Sequence, residues 1–221
     1  MYNFNKIQFK KEKFLSPGEE QIYIEGNTEG FETVKNKYIW LAEHTNYGSS
    51  NHAKKNLNAI IQFIKQNSLT SALDIGTGRG YFCNTLKECC NTVYGLDFAI
   101  KPAKDVNKDV VFINSDAHTI PLSDKSVDLI TSFDFLEHVH PDYLEKTIKE
   151  MFRVGSKYMI HKIAGGPSSS HHDKLGQLHL IQEGKAFWLN EVFKPHAKQV
   201  EILVDSSKPT IIDKGIVLIT I

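Results

Sequence analysis

The run Leu73-Asp74-Ile75-Gly76-Thr77-Gly78-Arg79-Gly80 constrains the fold more than any other part of this chain. An apolar strand meets an acidic residue, three glycines alternate with other residues, and an apolar helix starts at Tyr81-Phe82. Glycines at these positions let a ligand lie against bare backbone. Such a strand–loop–helix passage sits at a strand's carboxyl end, where open α/β sheets bind their ligands. The spacing is G-x-G-x-G. It is neither the G-x-G-x-x-G of dinucleotide sites nor the G-x-x-x-x-G-K-[ST] of a phosphate loop. Taken alone, it also fits a tight turn that binds nothing.

Around this loop the chain alternates. Strands are predicted at 71–75, 92–97, 110–114, 127–133 and 156–163, with helices near 80–90 and 141–153. In the second helix Leu144, Ile148, Met151 and Phe152 form an i, i+4, i+7, i+8 stripe, and Pro141 suits a first helical turn. Ser49, Ser50 and Asn51 offer caps for an earlier helix carrying Leu57, Ile60, Ile61 and Ile64. This order argues for a parallel sheet with helices on both faces. The segments 200–204 and 216–221 read as a hairpin that adds an antiparallel strand to the sheet edge. Residues 1 to about 48 read as irregular and dotted with aromatics. The expected organisation is a cap segment over 1–50 and one domain over 51–221. A chain of 221 residues fills one such domain and leaves little for a second.

Charge narrows the partners. With 26 basic and 26 acidic residues the net charge is zero, so no global field draws the protein to nucleic acid or anionic membrane. Arg79 and Arg153 are the only arginines, which makes bidentate phosphate recognition scarce. Cys83, Cys89 and Cys90 all fall in one predicted helix, with no disulfide framework or zinc spacing. A reducing cytoplasm is the expected setting. Residues 1–14 lack the apolar run of a signal peptide, and no segment is apolar enough to span a membrane.

Two further acids follow strand ends. Asp97 closes Thr92-Val93-Tyr94-Gly95-Leu96, where an acid accepts from both ribose hydroxyls of a nucleoside, and Phe98 beside it could stack on a base. Asp116-Ala117 follows the third strand; an aspartate plus the next backbone N–H matches the edge of adenine. A buried strand then leads into Asp134-Phe135-Leu136-Glu137-His138-Val139.

With the motifs LDIGTGRG, VYGLD, SDAHTIPLSDKSVDLI and FDFLEHV in this order, the chain resembles a class I S-adenosylmethionine-dependent methyltransferase. The resemblance covers residues 71–163 and implies a single Rossmann-like α/β domain, with a seven-stranded, mostly parallel sheet that the final hairpin completes. It implies S-adenosylmethionine as the cofactor and S-adenosylhomocysteine as the product. It places Gly76, Gly78 and Gly80 against the methionine and ribose, and Asp74 near the methionine amine. Asp97 falls to the ribose, Asp116 and Ala117 to the adenine. The backbone at Ser132 and Phe133 falls near the reactive end. The donor carries no phosphate, so missing phosphate grips are expected. A nicotinamide-dependent oxidoreductase would instead show G-x-G-x-x-G and a substrate domain. A catalytically silent binding subunit would keep the same donor residues.

The acceptor side is drawn from the segment after the fifth strand. Asp134 lies one step past the fourth strand and is a candidate catalytic group. Glu137 and His138 are largely architectural in the family that the chain resembles. The loop over 164–182, rich in Gly and Ser, carries His171, His172, Asp173 and His179. Histidine has the right pKa for a general base, and His171 and His179 are the candidates. The same residues also read as metal ligands or as solvated loop, and no metal site is assigned. Trp188 reads as core beside Ala186, Leu189, Val192 and Phe193. Upstream, Tyr47 is a candidate donor contact or an ordinary packed aromatic, and Arg79 a carboxylate binder or a surface ion pair. Lys10, Lys11 and Lys13 read as a solvated face. The expected reaction is transfer of a methyl group to a small-molecule acceptor, at an oxygen of a metabolite or sugar-type building block. No nucleic-acid partner is expected.

Overall fold

A computed structural model describes residues 31–47, 56–168, 178–204 and 216–221. Residues 1–14, the Ser49-Ser50-Asn51 caps, His171, His172 and Asp173 lie outside the described residues.

Seven strands form one sheet in the order β3-β2-β1-β4-β5-β7-β6. They are β1 Ser71–Ile75, β2 Thr92–Asp97, β3 Val111–Asn114, β4 Val127–Phe133, β5 Gly155–Lys162, β6 Gln199–Val204 and β7 Ile216–Thr220. Strands β1 to β5 pair in parallel. The chain reverses direction across the sheet at β1, where β2 and β4 flank it on opposite sides. That is the switch point at which open α/β sheets bind ligands. The terminal hairpin joins the edge of the parallel sheet, as expected, and does so through its second strand. Strand β7 pairs antiparallel with both β5 and β6, so it is inserted between them and β6 forms the edge. Its Ile-Val-Leu-Ile run explains this: four consecutive buried residues need cover on both faces, which an edge does not supply.

Helices cover the sheet on two sides. One apolar cluster joins α4 (Pro141–Val154) and a turn of π-helix at Phe187–Phe193 to the inward faces of β1, β4, β5 and β7. The other packs α2 (Leu57–Gln66) and α3 (Tyr81–Lys87) on the opposite face. Trp188 and Phe193 are fully buried, so Trp188 belongs to the core. Helix α3 ends at Lys87, which leaves Cys89 and Cys90 in the turn after it; all three cysteines are free thiols.

The segment read as irregular before residue 48 contains a helix, α1, over Phe31–His44. Val34, Tyr38 and Leu41 are buried, at i, i+4 and i+7, and pack with Leu178 and Phe98 into a third, small cluster. The apolar residues of α1 bunch at Tyr38-Ile39-Trp40-Leu41-Ala42 and Lys37 is buried beside them, so no clean helical period shows.

Candidate active site

The glycine loop is rigid by construction. Gly76, Gly78 and Gly80 have φ of 71°, 53° and 80°, in the left-handed region that side chains avoid. A Cβ at Gly76 would come within 2.4 Å of the Phe135 ring. The loop is tied to the neighbouring strand: the N–H groups of Gly76 and Thr77 donate to the Leu96 carbonyl at 2.8 and 3.1 Å. The Asp97 carboxylate closes the same turn, accepting from the Gly78 N–H at 2.9 Å and the Ala99 N–H at 2.8 Å. Each oxygen keeps a lone pair for a further donor. Burial raises the Asp97 pKa, and these two hydrogen bonds oppose the rise.

Asp74 lies deeper, 4% exposed, and accepts a hydrogen bond from Thr131 Oγ1 at 2.8 Å. Burial pushes its pKa up to about 7, against the hydrogen bonds from Thr131 and Thr77. Among the described residues no cation pairs with it. A positively charged ligand group would restore its ionised form.

These carboxylates face a cavity of about 530 Å³. Pockets that hold small ligands span roughly 300–1,000 Å³. One wall is Asp74, Gly76, Gly78, Asp97, Phe98 and Ala117; the other is Phe133, Asp134, His138, Lys162, Gly166 and His179. Helix α1 and the turn after it contribute Val34, Tyr38, Asn46 and Tyr47. Burial raises the Tyr47 phenol well above its ordinary range, so it stays neutral. Arg79 also lines the cavity and donates to the Thr45 carbonyl at 3.2 Å, tying the glycine loop to the α1 turn.

Asp134 is held in a left-handed conformation, φ 49°, which aspartate tolerates better than most side chains. Lys162 grips both its carboxylate oxygens, at 2.6 and 2.7 Å. The parallel register of β4 on β5 sets Phe133 beside Lys162, which brings the pair together. His138 lies on a short 3-10 turn, Leu136–His138, where its Nδ1 meets the Tyr38 hydroxyl at 2.8 Å and the Leu178 carbonyl at 2.9 Å. His179 Nδ1 lies 2.5 Å from the Gly166 carbonyl, and its ring sits 4.7 Å from that of His138. Glu137 is fully buried and accepts from the Ala164 N–H at 2.9 Å, fixing the start of the loop after β5. Burial, then the charge of Asp134, pushes its pKa up to about 8.

Residues 73–157 match the family model of a methyltransferase domain. The chain carries a class I S-adenosylmethionine-dependent methyltransferase domain. A candidate O-methyltransferase from Nostoc punctiforme PCC 73102 superposes with a TM-score of 0.61 at 13% identity, over 84% of this chain and 60% of its own. This chain therefore spans less than two thirds of that protein's length. The N-methyltransferase NodS from Bradyrhizobium japonicum WM9, solved with S-adenosylhomocysteine, gives 0.52 at 14% identity, over 77% of this chain and 87% of its own. A candidate methyltransferase from Bacillus halodurans C-125 gives 0.52 at 13%, over 75% and 97%. At these identities the likeness is one of fold. No curated protein matches the chain.

Within the methyltransferase domain most of the sequence-predicted site residues share one cavity: Asp74, Gly76, Gly78, Asp97, Phe98, Ala117, Phe133, Asp134 and His179 line it. Two others do not. Gly80 caps α3 from behind the loop. The Asp116 carboxylate turns to Lys35 of α1, with contacts of 3.1 and 3.2 Å, and stays off the cavity wall. His171 falls outside the described residues. Sequence reasoning missed Lys162, Tyr38 and Thr131. Lys162 was within reach, since parallel pairing of two strands sets their carboxyl ends side by side. Tyr38 was not, because its partner Leu178 lies 140 residues away.

Proposed function

We propose that this protein binds S-adenosylmethionine along the strand ends and moves its methyl group to an oxygen of a small hydroxylated acceptor. One observation carries this: a single cavity joins the backbone-anchored Asp97 and the buried, cation-free Asp74 on one wall to Asp134, His138 and His179 on the other.

Asp97 offers its remaining lone pairs to the ribose hydroxyls. Asp74 receives the methionine ammonium, directly or through water, and regains its charge. Phe98 and the Ala117 backbone flank the base, and Asp116 joins them by exchanging its Lys35 partner. The bound donor supplies a methyl group already activated on a sulfonium, so no covalent enzyme intermediate is needed. The chain's task is to hold the acceptor oxygen in line at near-attack distance. As the new C–O bond forms, the C–S pair stays on sulfur and the hydroxyl proton must leave. Among the described residues His179 is placed to take it, since its imidazole lines the same cavity as Asp134. Lys162 already neutralises Asp134, which suits Asp134 to orienting the acceptor. Zero net charge, few arginines and a cavity of about 530 Å³ favour a small metabolite over nucleic acid. Free thiols accord with a cytoplasmic setting.

Calorimetry with S-adenosylmethionine, S-adenosylhomocysteine and NAD tests the donor. The first two should bind and NAD should not. Silence of both sulfur nucleosides at high-micromolar concentration would end the proposal, and binding of NAD alone would favour hydride transfer.

A further inference from the structure

Glu137, His138 and His179 form a cluster whose chemistry methyl transfer to a hydroxyl does not require. Glu137 is completely buried. One of its oxygens serves the Ala164 N–H; the other, Oε2, has no hydrogen-bond partner among the described residues. A buried carboxylate oxygen without a donor is costly, and a cation beside it removes the cost.

The two histidines are held alike. His138 Nδ1 faces the Leu178 carbonyl and His179 Nδ1 faces the Gly166 carbonyl. A carbonyl oxygen only accepts, so each Nδ1 carries the proton and donates it. In the neutral ring that leaves Nε2 with its lone pair. Metal-binding histidines are fixed in this way, with the second ring nitrogen donating to a carbonyl or carboxylate. The Tyr38 hydroxyl, which donates to the same Leu178 carbonyl at 2.9 Å, braces the His138 side of the arrangement. One ligand atom from each of the three residues lies within 4.8 Å of the others. Metal bonds of about 2.0–2.1 Å set tetrahedral ligands roughly 3.3 Å apart, so closure needs only a small inward movement of side chains.

We infer that Glu137, His138 and His179 make a site for one divalent transition-metal ion, of the Zn²⁺, Co²⁺ or Mn²⁺ type, open toward the cavity. Two imidazoles and one carboxylate are a donor set that borderline divalent ions select, and it leaves coordination positions for water or an acceptor oxygen. The inference rests on the three side chains and not on the methyl-transfer proposal. Where both hold, a hydroxyl on the ion loses its proton through the cation's charge, and His179 acts as ligand instead of base.

Cobalt is the probe. Protein stripped with chelator and dialysed is titrated with Co²⁺, reading the visible ligand-field bands, then challenged with Zn²⁺. One Co²⁺ per chain should bind, with a spectrum showing nitrogen ligation, and Zn²⁺ should displace it. His179→Ala and Glu137→Gln should each weaken binding by about tenfold or more, the loss seen even for groups that only support a metal ligand. His171→Ala/His172→Ala should leave binding in place. Circular dichroism and the affinity for S-adenosylhomocysteine show whether a variant has kept its fold. If Glu137→Gln fails to fold, His179→Ala decides, since its side chain hangs on a partly exposed segment. No cobalt uptake at high-micromolar metal would overturn the inference, as would uptake that survives His179→Ala but vanishes with the His171/His172 pair. Because metal is read directly, failure of methyl transfer leaves the result intact, and failure here leaves the donor site standing.

Discussion

The two walls of the cavity are built by different means. The wall holding Asp74 and Asp97 is made from adjacent strand ends, β1 and β2, and the loop between β1 and α3. Its key side chains are fixed by backbone: Gly78 and Ala99 hold Asp97, and Leu96 holds the glycine turn. The opposite wall is assembled from remote parts. Tyr38 reaches His138 across 100 residues and Leu178 across 140, and Lys162 reaches Asp134 across 28. The first wall is complete once the sheet forms. The second also depends on contacts from α1 and the segment around 178–181. A wall made of strand ends is set by the fold, whereas one made of loops and a cap changes with them.

If the walls divide the labour in this way, substitutions should separate donor binding from turnover. The largest effect is expected at His179. His179→Ala should cut turnover roughly 10²–10⁴-fold while the donor dissociation constant stays unchanged, as measured by steady-state kinetics beside calorimetry. A weakened donor with normal turnover would erase the distinction between the walls.

Asp97→Ala should do the reverse. Loss of charge-assisted hydrogen bonds to the ribose should weaken donor binding by about 1.5–3 kcal/mol. Unchanged affinity would remove Asp97 from the donor site.

A smaller effect comes from pH. Asp74 binds its proton more tightly folded than unfolded, so between about pH 4 and 7 the free protein loses stability as pH rises. Its ionised form is the one that grips an ammonium, so donor affinity should move the opposite way. Between about pH 6 and 7.5 affinity should rise roughly eightfold as the competent fraction grows. Asp74→Asn should flatten this dependence. A wild-type affinity that is level across the same range would separate Asp74 from the donor.

Tyr38→Phe should be the mildest change. It removes the hydroxyl that joins α1 to His138 and to the 178 segment, and should lower stability by about 0.5–1.5 kcal/mol, read from denaturant unfolding. Acceptor KM should rise with it while donor affinity holds. Equal effects on both ligands would mean that α1 serves the two walls alike.

The same contrast explains what the sequence disclosed. The strand ends and the glycine loop were legible because each is local: an apolar run stops at an acid or a glycine, and the backbone demands follow at once. The predicted bounds of β1, β2 and β4 match the observed ones for this reason. Phe98 and Ala117 followed from Asp97 and Asp116 by adjacency. Helix α1 was missed because its buried side mixes Val34, Tyr38 and Leu41 with a lysine, Lys37, and its other apolar residues run together at 38–42. The capture of Asp116 by Lys35 spans 81 residues and has no local signature. That β7 and not β6 lies against β5 likewise depends on strands far apart in the chain. Lys162 stood in plain sight at a strand end, but its meaning depended on the register that pairs it with Phe133.

A crystal structure with S-adenosylhomocysteine bound tests the division most directly. The account predicts the ribose on Asp97, the base between Phe98 and Ala117, and the sulfur opening toward Asp134, His138 and His179. A nucleoside seated on the His138–His179 side, or a sulfur facing away from those residues, would contradict it.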